Sequence, residues 1–95
     1  MSNYKLTIDA DADAAYFYVN DSKVAKTLEI NETVLVDVDL EGKTVGIEFL
    51  SLKTLSSFSP EMFNDYLSAQ DSAELMSLLE KPLRSYLMTN HLVLN

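Results

Sequence analysis

The chain has 95 residues, of which 47% are hydrophobic and 23% are charged, and its 15 acidic and 7 basic residues give a net charge of −8 at pH 7. This composition indicates a folded globular chain, and the length fits a single domain, 1–95, with one core. The negative field repels phosphate backbones, so we expect no direct nucleic-acid binding. The absence of cysteine excludes disulfides, zinc–thiolate sites and a thiol nucleophile.

The sequence gives no indication of targeting to a membrane. Its N-terminal segment lacks the apolar core of a signal peptide, and no apolar stretch approaches the roughly 20 residues of a spanning helix. A chain without cysteine also fits a reducing compartment. We therefore expect a cytoplasmic protein with no membrane contact.

Alternating apolar residues predict five strands in the first half of the chain. The strands cover residues 4–8, 15–19, 24–30, 34–38 and 45–49. The last two form a hairpin whose buried face carries Val34, Val36, Val38, Val45, Ile47 and Phe49. Short connections between the strands predict an antiparallel β-meander over residues 4–50.

Turn-forming residues separate the predicted strands. Aspartate-rich residues 9–13 follow the first strand, and residues 20–22 and 31–32 follow the second and third. Between the last two strands, residues 39–42 suit a type I turn with Gly42 in the left-handed position of a bulge.

The periodicity becomes helical in the extension over residues 51–95. Ser59 and Pro60 are typical of a helix start, and residues 71–74 are typical of a capping box for a second helix. Apolar residues at helical spacing continue beyond Pro82, and a short apolar tail covers 91–95. We predict an α+β fold in which two or three C-terminal helices cover one face of the meander.

Carboxylates supply the candidate metal site and an alternative function. Asp9, Asp11 and Asp13 have the spacing that opens a calcium loop. However, Ala14 stands where the loop needs glycine, and Asn20 stands where it needs glutamate. A solvated turn is therefore the preferred interpretation. A carboxylate-dependent metal-binding protein or hydrolase remains the alternative.

The common catalytic motifs are absent from the sequence. His91 is the single histidine, and there is neither a serine flanked by glycines nor a glycine-rich phosphate loop. Asp37 and Asp39, predicted to share a strand face, have a spacing near that of glycosidase carboxylates, but spacing alone has little specificity. We expect no cofactor and no catalytic residues.

The face opposite the predicted core carries the candidate interaction residues. Tyr16 and Tyr18 project from it together, and tyrosine is enriched at protein interfaces. The exposed acids predicted to accompany them are Glu29, Asp37 and Glu48. Leu35 on this face and the apolar tail also predict a homodimer, strengthened by salt because screening weakens the repulsion between acidic copies.

Several motifs between Tyr4 and Leu50 resemble one bacterial family. The motifs are Asp9, Asp13-Ala14-Ala15-Tyr16, Val24-Ala25-Lys26-Thr27, Val36-Asp37 and Gly42-Lys43-Thr44-Val45-Gly46-Ile47-Glu48. They are similar to domain of unknown function 2283, whose members have no established catalytic residues. Members are often encoded beside small basic proteins similar to ribonuclease toxins. The resemblance thus implies an antitoxin-like interaction module that neutralises a basic protein partner.

Overall fold

Five antiparallel strands and three short helical segments make up the computed structural model, which describes residues 4–80. The strands are β1 (Lys5–Asp9), β2 (Ala14–Tyr18), β3 (Lys26–Asn31), β4 (Val34–Val38) and β5 (Thr44–Phe49). They are followed by α1 (Leu52–Leu55), a 3-10 helix (Pro60–Phe63) and α2 (Ala69–Leu78). The predicted α+β class and the five antiparallel strands are confirmed. The predicted helical stripe beyond Pro82 and the tail over 91–95, with His91, lie outside the described residues.

The order of the strands differs from that of a simple meander. It is β1-β2-β5-β4-β3, so that β3, β4 and β5 pair consecutively while the β1–β2 hairpin joins them through β5. The physical reason lies in the burial of each strand. Five of the six residues of β5 are buried, as a central strand requires, whereas β3 is mostly exposed and carries Lys26 and Glu29. Charged residues are typical of sheet edges, where they oppose unwanted pairing.

One face of the sheet forms the core together with the helical segments. A row of apolar side chains crosses all five strands, in the order Leu6, Phe17, Ile47, Val36 and Leu28. The helical segments cover this face with Leu52, Leu55, Phe63 and Leu75, and Leu67, between the 3-10 helix and α2, is buried in the same cluster. Each such side chain contributes roughly 1.5–3 kcal/mol through burial. The prediction that helices cover the valine face is therefore confirmed for the described helices.

The β4–β5 turn has the predicted left-handed glycine. Gly42 has φ +80° and donates its N–H to the Asp39 carbonyl at 3.0 Å. The Asp39 carboxylate accepts the N–H groups of Lys43 and Glu41, each at 2.9 Å. These bonds lower the pKa of Asp39, and the bond from Lys43 has the largest effect. Asp39 thus belongs to the turn and does not share a strand face with Asp37.

Because of a bulge in β5, one residue of the predicted core row does not occupy its predicted position. Val38 lies opposite Thr44 while Asp37 lies opposite Gly46, so Val45 is the extra residue in β5. Val45 is buried, but its place opposite Val38 is taken by Thr44, whose hydroxyl donates to the Tyr66 carbonyl at 2.6 Å. The strict alternation expected for β5 fails because a bulge shifts the register by one residue.

The helix starts were predicted with mixed success. Ser59 and Pro60 do begin a helical segment, but it is a single 3-10 turn. The capping box of α2 is formed by Ser68 and Asp71, three residues before the predicted one, and α1 was not predicted. Asp71 also accepts a hydrogen bond from the Tyr4 hydroxyl. Since that bond favours the neutral phenol, it raises the pKa of Tyr4 to about 12.

Asp13 connects the β1–β2 turn to the start of α1. It has φ +53°, and its carboxylate accepts the N–H of Leu52, the first residue of α1, at 3.2 Å. The side chain of Ser51, the N-cap residue by position, makes no capping bond. Asp13 therefore supplies the cap from a distant part of the chain.

We predict that Asp13→Ala lowers the free energy of unfolding by about 1–3 kcal/mol, since it removes a helix cap and strains a left-handed residue. Asp13→Asn should cost less, because asparagine tolerates this backbone conformation and keeps an acceptor oxygen. Asp11→Ala in the same turn is the control and should change stability by less than about 0.5 kcal/mol. Denaturant titration measures all three. Equal midpoints for Asp13→Ala and Asp11→Ala would contradict the capping role.

Candidate interaction surface

The sheet face opposite the core, called here the open face, consists of two rows that cross all five strands. One row is Thr7, Tyr16, Glu48, Leu35 and Glu29. The other is Lys5, Tyr18, Gly46, Asp37 and Thr27. The structure thus brings all five sequence-predicted interaction residues onto one face. Apart from Gly46, these side chains are exposed or half-buried, since the described helices pack on the other face.

The ring of Tyr16 crosses the sheet over Gly46. A Cβ atom added to Gly46 would lie 2.3 Å from Cε1 and 2.4 Å from the hydroxyl oxygen of Tyr16. Only glycine leaves room for the ring at this position. An aromatic side chain that covers a glycine on a neighbouring strand also restores the packing that the glycine lacks.

Tyr16 reaches β4 from this position and binds Asp37. Its hydroxyl donates to Asp37 Oδ2 at 2.6 Å, and the Thr27 hydroxyl donates to the other carboxylate oxygen, Oδ1, also at 2.6 Å. Four strands are thereby connected side by side through Tyr16, Gly46, Asp37 and Thr27. The pKa of Tyr16 is raised well above 10.0, mainly by burial of the phenol and to a smaller extent by its bond to Asp37.

Tyr18 and Lys5 extend this arrangement to the β1 edge. The ring centroids of Tyr16 and Tyr18 lie 4.6 Å apart with a tilt of 54°. Lys5 Nζ lies 5.5 Å from the Tyr18 centroid, within the range of a cation–π contact. Tyr18 remains 40% exposed, so part of its ring is available to a partner.

The charges of the open face are mainly negative. Glu29, Asp37 and Glu48 are acidic, and Lys5 at one edge is the single base among the ten residues of the two rows. Half-buried Leu35 lies between Glu48 and Glu29 in its row. Because adjacent strands are about 4.8 Å apart, the backbones of these glutamates are separated by roughly 10 Å. The surface therefore offers an apolar centre with an acidic residue on each side.

Two of the three aspartates of the alternative metal site have structural roles in their turn, and the third, Asp11, is exposed. Asp9 Oδ1 accepts the N–H of Ala12 at 3.1 Å, and Asp13 caps α1. Within residues 4–80, no three side chains of histidine, cysteine, aspartate or glutamate are grouped so that they could hold a metal ion. No helix of that same range is long and apolar enough to span a bilayer.

Gly46 and Thr27 are the surface residues that sequence reasoning missed. A glycine inside an otherwise apolar strand, Val45-Gly46-Ile47, was the available indication, since such a glycine often marks a close approach. The approaching residue could not be identified, because the β2–β5 pairing was not predicted.

We predict that Gly46→Ala displaces the Tyr16 ring, breaks its bond to Asp37 and lowers the pKa of Tyr16 towards 10.0. The raised pKa stabilises the fold fully below pH 10.0 and ceases to do so as pH rises through the folded-state value. Gly46→Ala should therefore also weaken the dependence of stability on alkaline pH. Ultraviolet absorbance of tyrosinate, with Tyr16→Phe to assign the group, measures the pKa.

Tyr4 serves as the internal control for this titration. Its pKa of about 12 is set mainly by the bond to Asp71, on the other side of the sheet from the substitution, and should stay unchanged. Identical alkaline titrations of Gly46→Ala and the wild type would contradict the position of Tyr16.

The family comparison covers this whole surface. The model of a family described as "Protein of unknown function (DUF2283)" matches residues 5–53, from the start of β1 into α1. No curated protein and no solved structure matches the chain. The helical segments from Pro60 onward lie outside the matched range. Since the match spans slightly more than half of the 95 residues, the chain belongs to the DUF2283 family, which confirms the predicted resemblance.

Proposed function

We propose that this chain is a non-enzymatic, acidic interaction module whose open face binds a basic protein partner. The observation that carries the proposal is the chain of side-chain contacts from Tyr16 over Gly46 to Asp37 and Thr27. It fixes polar side chains on a face that the described helices leave uncovered. Side chains held in place before binding lose less entropy when a partner docks.

The charge of the open face supports a basic partner. The chain carries −8 overall, and three acids lie within the two rows of the open face. Charge complementarity accelerates encounter and selects against partners of the same sign. Tyr16 and Tyr18 add large, half-exposed rings with hydroxyl groups, a combination that is enriched at interfaces. The partner thus presents lysine or arginine around an apolar group that contacts Leu35.

More specifically, we propose that the chain acts as an antitoxin, which neutralises a small basic toxin. Support comes from the acidic open face and from the sequence resemblance to a family whose members often stand beside such proteins. A cysteine-free chain is also suited to a reducing compartment, and we propose that the protein acts in the bacterial cytoplasm.

A basic amphipathic peptide in which arginine alternates with valine probes the open face directly. We expect it to shift the backbone NMR signals of β2, β4 and β5 at Tyr16, Leu35 and Glu48. Calorimetry should give an affinity that falls as salt rises, because screening weakens charge attraction. The double variant Glu29→Lys/Glu48→Lys should bind at least about tenfold more weakly, since like charges oppose docking.

Asp11→Lys/Glu32→Lys changes the net charge equally at exposed turn positions away from the open face. It should weaken binding by no more than about threefold, through the long-range field alone. Equal losses in the two double variants, or shifts spread evenly over the molecule, would contradict a binding site on the open face.

A further inference from the structure

A second surface lies at one end of the sheet, where residues 22–25 approach the β4–β5 turn. A groove of about 500 Å³ separates these two stretches, with Lys23, Val24 and Ala25 on one wall and Leu40 and Glu41 on the other. We call it the corner groove. An adjoining cavity of about 510 Å³ continues along the start of β3 to Asp65 and Tyr66.

The walls of the corner groove are held in place by hydrogen bonds. The Ala25 N–H donates to the Val38 carbonyl at 2.8 Å. The Ser22 N–H donates to the Asn20 side-chain oxygen at 2.7 Å, and the Asp39 carboxylate accepts two N–H groups of the turn. The groove is therefore a formed feature of the surface.

Leu40 projects from the turn at the rim of this groove. It is 93% exposed, and Val24 on the opposite wall is 43% exposed. Turn positions favour polar residues, and the turn geometry here is set by Asp39 and Gly42. A fully exposed leucine beside an apolar groove makes no contribution to the fold that would explain it. Exposed apolar groups of this kind are typical of contact sites.

Charges of both signs surround the corner groove, and each of its two walls carries mainly one sign. Lys23 and Lys26 lie on the side of residues 22–26, Asp39 and Glu41 lie on the side of the turn, and Asp65 lines the adjoining cavity. A second copy is repelled by a molecule of charge −8 over most of its surface, including the open face. At this corner, the basic wall of one copy can face the acidic wall of the other.

We propose that the corner groove binds a second copy of this chain, with Leu40 of each copy inserted into the groove of the other. A two-fold contact requires that one surface carry both halves of the interaction. Here the projecting leucine, the apolar groove, the basic wall and the acidic wall all lie side by side. The proposed dimer leaves the open face free, and it places self-association away from Tyr16, Tyr18 and Leu35.

Sedimentation of the full chain, from about 10 µM to about 1 mM, tests the dimer in the concentration range suited to a small interface. We expect a monomer–dimer equilibrium that Leu40→Glu shifts at least about tenfold towards monomer, since a buried carboxylate opposes the contact. The control Leu50→Glu makes the same change at an apolar residue that is 42% exposed elsewhere. It should shift the equilibrium by no more than about threefold.

A charge exchange tests the two-fold arrangement separately. Lys23→Glu alone should weaken the dimer, and Lys23→Glu/Glu41→Lys should restore it, because positions 23 and 41, which face each other across the contact, again carry opposite charges. A wild type that stays monomeric throughout overturns the proposal. A dimer that resists Leu40→Glu but dissociates with Tyr18→Glu overturns it too, since self-association would then use the open face.

Peptide binding to the open face distinguishes this proposal from the proposed function. Leu40→Glu should leave the affinity for the arginine–valine peptide unchanged, because the two surfaces are separate. Loss of the dimer with intact peptide binding would support the corner groove, whereas failure of peptide binding in a protein that dimerises would overturn only the proposed function.

Discussion

The close approach of Tyr16 to Gly46 is the contact on which the rest of the structure depends. It lies across the β2–β5 pairing, which joins the β1–β2 hairpin to the β3–β4–β5 unit as one sheet. On the core side of the same pairing, Phe17 lies opposite Ile47 at the centre of the apolar row. On the open side, the Tyr16 hydroxyl reaches Asp37 and aligns the polar row. A side chain at Gly46 is incompatible with this arrangement of the open side.

The local features of the fold could be predicted from sequence because they depend on neighbouring residues. The alternation of Val34, Val36 and Val38 identified β4, and Gly42 identified its turn. Features that depend on distant residues could not be predicted in this way. The β2–β5 pairing, the capping of α1 by Asp13 across 39 positions and the place of Val45 in a bulge all require the assembled sheet. Alternation specifies which face a residue occupies, but not which strand lies beside it.

The same distinction applies to the candidate surface. The alternation of side chains along the strands was enough to assign the candidate interaction residues to one face, namely Tyr16, Tyr18, Glu29, Asp37 and Glu48. Their contacts could not be predicted in this way, because Tyr16 reaches Asp37 across an intervening strand. The structure also separates two surfaces of different charge pattern, an acidic open face and a corner groove with a basic and an acidic wall. The two contacts that we propose, one with a basic partner and one with a second copy, thus use separate surfaces.

The most direct test of this account is the proximity of Tyr16 and Gly46 in solution, measured by proton NMR. Strong nuclear Overhauser effects are expected between the Tyr16 ring protons and the Gly46 α-protons, together with an upfield ring-current shift of those α-protons. Gly42, which has nothing within 4 Å of its Cβ position, should show neither. Gly46 α-protons that lack these effects and resonate like those of Gly42 would contradict the account.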